Sequence, residues 1–287
     1  MTIERLEPGS SDTGVTADRS SAVRRRVNRA LPAIVVAVTL VAVWQFYVMV
    51  SGIRPQVLPS PARVLQQGWA HRTDIAGHAA ATLQVTIVGF AVSLTLAWAL
   101  AIAVDFSPWL RRAFVPLFVA SQTLPIIAIA PLMIIWFGFG LLPKILVIAL
   151  ATFFPMAIGL IEGFAATDRE AGALLRSMGA TRWQVFRYVR LPSALPRFFT
   201  SLRIGITYAV VGAVFAEYVG ATSGLGIYMA TQKNSFRTDL VLAAVLVTAI
   251  VSLVLYLLTY VAERMIAPWA LSTENRAPEN RPTGSRA

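Results

Sequence analysis

The chain has 287 residues, 56% of them hydrophobic and 14% charged, with a mean hydropathy of +0.66. Soluble globular chains carry about 25% charged residues, so a water-soluble enzyme of the ordinary kind is excluded. The absence of cysteine removes disulfides, thiolate metal sites and cysteine nucleophiles, and two histidines leave no His-rich metal centre. A net charge of +11 would suit a nucleic-acid binder only if the basic residues shared one soluble face.

Residues 1–29 are polar and lack hydrophobic periodicity, which predicts a disordered tail. Arg24-Arg25-Arg26 resembles a twin-arginine export signal. The apolar run after it is too long for a signal core and lacks a small-residue cleavage site, so it is read as a first span with a positive flank. A bilayer core about 30 Å thick needs about 20 helical residues. Runs of that length with almost no charge occupy 30–53, 79–104, 113–143, 145–166, 202–220 and 240–262. In lipid the backbone must satisfy its own polar groups, and the alternation of a barrel is missing. The expected fold is all-α, a polytopic membrane protein with six transmembrane helices over 30–270. Residues 271–287 form a second disordered tail.

Several polar residues interrupt this pattern. Between the first two runs, Leu58-Pro59-Ser60-Pro61 precedes Val64, Leu65 and Trp69 at helical spacing, predicting a short amphipathic helix on the outer interface. Asp105 is read as ending the second span. Pro116, Pro125 and Pro131 in the third run and Pro155 in the fourth each remove a backbone donor. Gln122, Thr123 and the bend at Pro125 are candidate pathway surface, the alternative being that these prolines only shape packing. Gly159 and Gly163 form a small-xxx-small pattern too common to indicate a dimer. Glu162 and Arg203 are expected to form a structural ion pair. Glu217 lies about 22 Å into the fifth run. It would contact a solute, close an outer gate, pair with Arg237, or cap the following Gly-rich turn as a hydrated interfacial acid. The last is the favoured reading. No acid or histidine falls near the middle of a run, which speaks against a proton relay.

Orientation follows from the basic residues. With the N-terminus inside, nineteen of the 25 Lys and Arg fall on cytoplasmic segments. Both termini are therefore expected to be cytoplasmic, and the charge marks topology rather than nucleic acid. Seven of the nineteen lie between Arg169 and Arg203.

The loop at 167–198 is organised unlike a connector. Thr167-Asp168-Arg169-Glu170 has the form of a capping box, and Ala171, Leu174, Leu175 and Met178 recur with helical period. Gly179 stands where a left-handed residue would end the helix. Thr181 is placed to cap a second helix over 182–190, with Leu191-Pro192 expected to end it. Two short amphipathic helices joined by a tight turn suit docking of a cytosolic partner. A solvated basic loop is the alternative.

Gly179, nine further residues and then Val189-Arg190-Leu191-Pro192 resemble half of the loop signature of inner-membrane permease subunits of binding-protein-dependent ABC importers. The Glu-Ala-Ala opening of that signature is replaced by Ala173-Leu174-Leu175, with Glu170-Ala171 three residues early. Leu58-Pro59-Ser60-Pro61, Trp136-Phe137-Gly138-Phe139-Gly140, Ala216-Glu217-Tyr218-Val219-Gly220 and Gly224-Leu225-Gly226 are similar to the branch importing sulfonates, taurine, nitrate and thiamine-precursor pyrimidines. The resemblance implies a half-channel in the inner (plasma) membrane. It implies a homodimer of such subunits, two cytosolic ATPases that carry the ATP and magnesium, and an extracytoplasmic solute-binding protein. The chain itself would hold no cofactor or metal and catalyse nothing, and it has no Gly-x4-Gly-Lys-Ser/Thr phosphate loop. Arg182, Trp183 and Phe186 are the expected groove contacts on the ATPase, with Gly179 allowing the turn and Pro192 setting the exit angle. Phe153-Phe154-Pro155 and the segment from Phe236 to Leu240 lean toward a pyrimidine or thiamine-precursor solute, with sulfonate, taurine or nitrate close behind. A self-sufficient secondary transporter or channel is the competing class.

Overall fold

The computed structural model describes the backbone of residues 14–123 and 125–269, and the side chains of the same residues except 14–30, 126 and 127. Residues 1–13, residue 124 and the whole C-terminal tail read from the sequence, 271–287, lie outside the described residues. All regular structure among the described residues is helical. In chain order the helices are α1 (Gly14–Ser51), α2 (Pro61–Ala70), α3 (Arg72–Phe106), α4 (Pro108–Ser121), α5 (Ile126–Phe137), α6 (Leu141–Ala165), α7 (Arg169–Ser177), α8 (Arg182–Val185), a π turn at Phe186–Arg190, α9 (Leu191–Gly220), α10 (Leu225–Asn234) and α11 (Thr238–Ile266).

Five helical stretches are long and apolar enough to cross a membrane: Leu31–Ser51, Arg72–Phe106, Leu141–Ala165, Arg182–Gly220 and Thr238–Ile266. Two expectations shift here. α1 begins at Gly14, inside the segment read as disordered, because adding turns to a helix already formed is far easier than nucleating one. The third apolar run is not one helix. It divides into α4 and α5, about 21 Å and 18 Å long, each short of a bilayer core alone. Pro125 explains the break, since it has no N–H to donate into a continuing helix. Pro116 and Pro131 lie inside their helices.

The core is the contact of α3, α6 and α9. Gly159 and Gly163 on α6 face α9, and this explains their spacing. A methyl group at Gly159 would overlap the Ser201 side chain, and one at Gly163 would lie 3.1 Å from the Ala194 Cα. The small-residue pattern thus serves packing within the chain. Ser93 on α3 donates to the Ala149 carbonyl at 3.2 Å, and Thr152 donates to Ser93 at 2.7 Å. Toward one end, Trp98, Phe164 and Phe198 pack edge to face around buried Met156 and Leu160. At the opposite end Val64 of α2 is buried with Tyr228 of α10 and Leu240 of α11, while Leu65 and Trp69 face outward. The predicted amphipathic helix is therefore present, with Ser60 as its N-cap.

Candidate functional site

The two ends of the bundle differ in chemistry. At the end bearing α7 and α8, each turn of the loop has an assignable cause. Asp168, rather than Thr167, caps α7, accepting from the Glu170 N–H at 2.8 Å. One residue's shift leaves the Thr167 hydroxyl buried and without a hydrogen-bond partner. Gly179 adopts φ +85°, with its own N–H donating to the Arg176 carbonyl and the Ala180 N–H to that of Leu175, both at 3.0 Å. This pair of bonds is a Schellman closure, and it requires the left-handed residue that glycine supplies. Thr181 and Gln184 form a reciprocal capping box at the start of α8.

The second loop helix does not end at Leu191-Pro192. It widens into the π turn, where the Leu191 N–H donates to the Phe186 carbonyl, and runs on as α9. Pro192 sits in the first turn of that continuation, where a missing N–H is tolerated. Loop and membrane helix are thus one continuous rod from Arg182 to Gly220.

The loop side chains divide by direction. Phe186, expected to face outward, is 3% exposed and packs on Phe106 and Phe164. Val185 is buried beside it. Leu174, Met178, Trp183 and Tyr188 are exposed, as are Glu170, Gly179 and Arg182. Trp183 stacks on Phe186 at 5.4 Å between ring centroids, so its outer face rests on a buried foundation. Leu175, Val189, Leu191 and Pro192 are half-buried. Asp105 does more than end α3. It receives two hydrogen bonds from Arg190, at 2.6 and 2.7 Å, and ties α3 to the π turn. Asp105 and Arg190 stand 85 positions apart in sequence, and nothing local pairs them. The Glu162–Arg203 pair does not form: Arg203 bonds Glu263 on α11, and Glu162 is exposed.

At the opposite end the chain folds around Glu217. The acid is fully buried rather than hydrated, and it does cap the glycine turn. Its Oε2 accepts from the Thr82 hydroxyl at 2.9 Å and from the Gly226 N–H at 3.0 Å. The Leu225 N–H donates to Thr82, and the Gly224 N–H donates to His78 Nδ1. A side chain at Gly224 would overlap the Glu217 carboxylate, and one at Gly226 would overlap the Val214 carbonyl. Gly224, Leu225 and Gly226 therefore wrap the acid at backbone distance. Arg237 does not reach it, bonding instead to Asp239 and Gln67. Thr82 and His78 could not be found from the sequence, because helical spacing alone puts them on an ordinary apolar span.

The remaining candidates sit at the break between α4 and α5. Gln122, Thr123 and Pro125 are exposed there. Gln122 lines a cavity of about 140 Å³ together with Ser121, Ala151, Phe154, Pro155 and Tyr208. The break and the Pro155 position thus meet, whereas Glu217 lies elsewhere in the bundle.

Long apolar helices around a small-residue core, with a rigid helix-pair knob at one end, define a polytopic membrane protein. The family model for the binding-protein-dependent transport system inner membrane component matches residues 93–271. The riboflavin transport system permease protein RibX of Chloroflexus aurantiacus is 37% identical over 246 residues, covering 84% of this chain and 92% of that one. The formylaminopyrimidine transport permease protein ThiX of Halalkalibacterium halodurans is 32% identical, over 85% and 98% of the two chains. The taurine transport system permease protein TauC of Escherichia coli is 34% identical over 80% and 86%. A chain of an amino acid ABC transporter shares the fold with a TM-score of 0.57 over 69% of this chain and 96% of that one, at 16% identity. The chain belongs to the binding-protein-dependent transport system inner membrane components, and it is an ABC importer permease.

Proposed function

We propose that the chain forms half of the translocation pathway of an ATP-driven importer, as a homodimer with two cytosolic ATPases and an extracytoplasmic solute-binding protein. Six spans cross the inner (plasma) membrane, the third being α4 and α5 in series, and both termini are cytoplasmic. The domain covers residues 30–270, with 167–198 as the coupling loop.

The observation that carries this reading is the two-sided loop. Its outer face offers Leu174, Met178, Trp183 and Tyr188 among exposed arginines, and large apolar anchors with Arg are what dominate protein interfaces. Its inner face, Val185 and Phe186, is held in the bundle. A partner that moves Trp183 and Tyr188 must move α9, because both lie on the one helical run from Arg182 to Gly220. Arg182 and Trp183 are the contacts, Glu170 a rim residue, and Phe186 the anchor that passes displacement inward. Gln122, Thr123 and Pro125 line the solute path at mid-depth, where the helix break frees backbone groups. Glu217 shapes the outer end of that path. The test is the pair Leu174→Ala/Trp183→Ala in whole cells: solute uptake and ATPase co-purification should both fall at least tenfold, with the permease still in the membrane. Uptake at the wild-type level sinks the assignment.

The solute is a small nitrogen heterocycle, a thiamine-precursor pyrimidine in the first place. Two relatives, at 37% and 32% identity, carry riboflavin and formylaminopyrimidine in their names. Taurine and aliphatic sulfonates follow, on the names of further relatives. A ligand-induced melting screen of the cognate binding protein decides: stabilisation by an aminopyrimidine or a flavin supports the reading. Stabilisation by taurine alone reverses it.

A further inference from the structure

The same end of the bundle contains basic residues, two of them on α7 of the coupling loop, that have no individual role in the proposed docking. Two adjoining cavities, of about 250 and 310 Å³, open between the end of α3, the start of α4, α7 and the π turn. They share Asp105, Arg176 and Arg190 in their walls, and the larger adds Arg111 and Arg169. Arg190 is bound to Asp105. The guanidinium groups of Arg111, Arg169 and Arg176 have no hydrogen-bond or ion-pair partner among the described residues. The other acid in the wall, Asp168, caps α7. Thr167 also lines this cavity, though its hydroxyl is turned away from it, buried and unpartnered. The wall thus holds more positive than negative charge, with the N-terminus of α7 adding its partial positive charge.

Solvated arginines are expected on any cytoplasmic loop. These three differ in arriving from two separate elements, α4 and α7, onto one concave space. Arginine forks suit oxyanions, and a tetrahedral phosphate offers enough oxygens to meet several at once. We propose that this cavity binds a phosphate group and that the bound group clamps the coupling loop to the ends of α3 and α4. The group belongs either to an anionic phospholipid headgroup or to free phosphate, and the chemistry of recognition is the same. Placing lipid phosphates at this depth rests on the orientation proposed above. Binding by the purified chain does not, so failure of one is distinguishable from failure of the other.

The test uses the full chain in a neutral detergent, read by its thermal unfolding midpoint. Sodium phosphate is titrated against sodium chloride at matched ionic strength, and phosphatidylglycerol against phosphatidylcholine. A rise with phosphate and with phosphatidylglycerol is expected. A rise with the lipid alone assigns the site to the membrane, and one with phosphate alone assigns it to the free ion. Arg111→Gln and Arg176→Gln should each weaken binding about tenfold, as loss of one charge-assisted bond implies. As a check without variants, phosphate should protect Arg111 and Arg176 of the wild type from phenylglyoxal while Arg187, exposed outside the cavity, still reacts. No stabilisation by either anion, or protection no greater than at Arg187, overturns the proposal and leaves these arginines to solvent or to the partner protein.

Discussion

Glu217 combines complete burial with a glycine turn folded directly onto it. Removing its carboxylate in Glu217→Ala would leave the Thr82 hydroxyl and the Gly226 N–H without that acceptor, beside a void. Each buried donor left without a partner costs about 1–3 kcal/mol, so a loss of about 3 kcal/mol is expected, read as a lower denaturation midpoint in detergent. Glu217→Gln keeps an acceptor oxygen in place and should remain within about 1 kcal/mol of wild type. Gly226→Ala is expected to cost about 1–3 kcal/mol or more, because its methyl group meets the Val214 backbone rather than a movable side chain. An unchanged midpoint for Gly226→Ala would contradict the close approach. The sequence placed Glu217 beside a glycine turn and correctly made it the cap of that turn. It did not reveal the burial, which depends on α3 and α10 closing over the acid.

At the scale of the element, the coupling loop depends on one backbone conformation and one ion pair. Gly179→Ala introduces a Cβ at φ +85° in open space, so its cost is that of the left-handed conformation, about 1 kcal/mol. Gly179→Asp adds a charge on the exposed turn and should abolish uptake while leaving the protein in the membrane. Wild-type transport by that variant removes the turn from the coupling step. The Asp105–Arg190 pair joins α3 to the π turn, with Asp105 8% and Arg190 35% exposed. Asp105→Ala, Arg190→Ala and the double variant form a cycle whose coupling energy should be about 1–2 kcal/mol. A coupling near zero would mean that the pair is incidental. The loop's two helix starts, its glycine turn and the Thr181 cap were readable because such signals act over three or four residues, while the α7 cap fell one residue later, at Asp168. The continuation through Pro192 was not, since a proline in a first turn and one after a last turn look the same in sequence.

For the whole molecule, direction in the membrane has a direct measurement. The chain contains no cysteine, so single cysteines report without background. With the proposed orientation, Lys233→Cys on intact cells should react with a membrane-impermeant maleimide and Ser177→Cys should not, both positions being exposed in the fold. The reverse pattern would invert the topology and remove the loop from any cytosolic ATPase.

The sequence by itself determined that this chain is a helical membrane protein, where most of its spans lie, and that one loop carries a built helix pair. Those features arise from the cost of burying backbone and charge in lipid, and from capping interactions that are local along the chain. Only the tertiary structure decided the division of the third run into α4 and α5 and the partners of Asp105, Arg203 and Glu217. It also decided the inward turn of Phe186 and the meeting of unpaired arginines around one cavity. Composition at the start pointed to excess positive charge and could not say where it converged. Convergence depends on helices many residues apart being packed side by side, and packing of α3, α6 and α9 is set by small residues and shape rather than by any periodic signal.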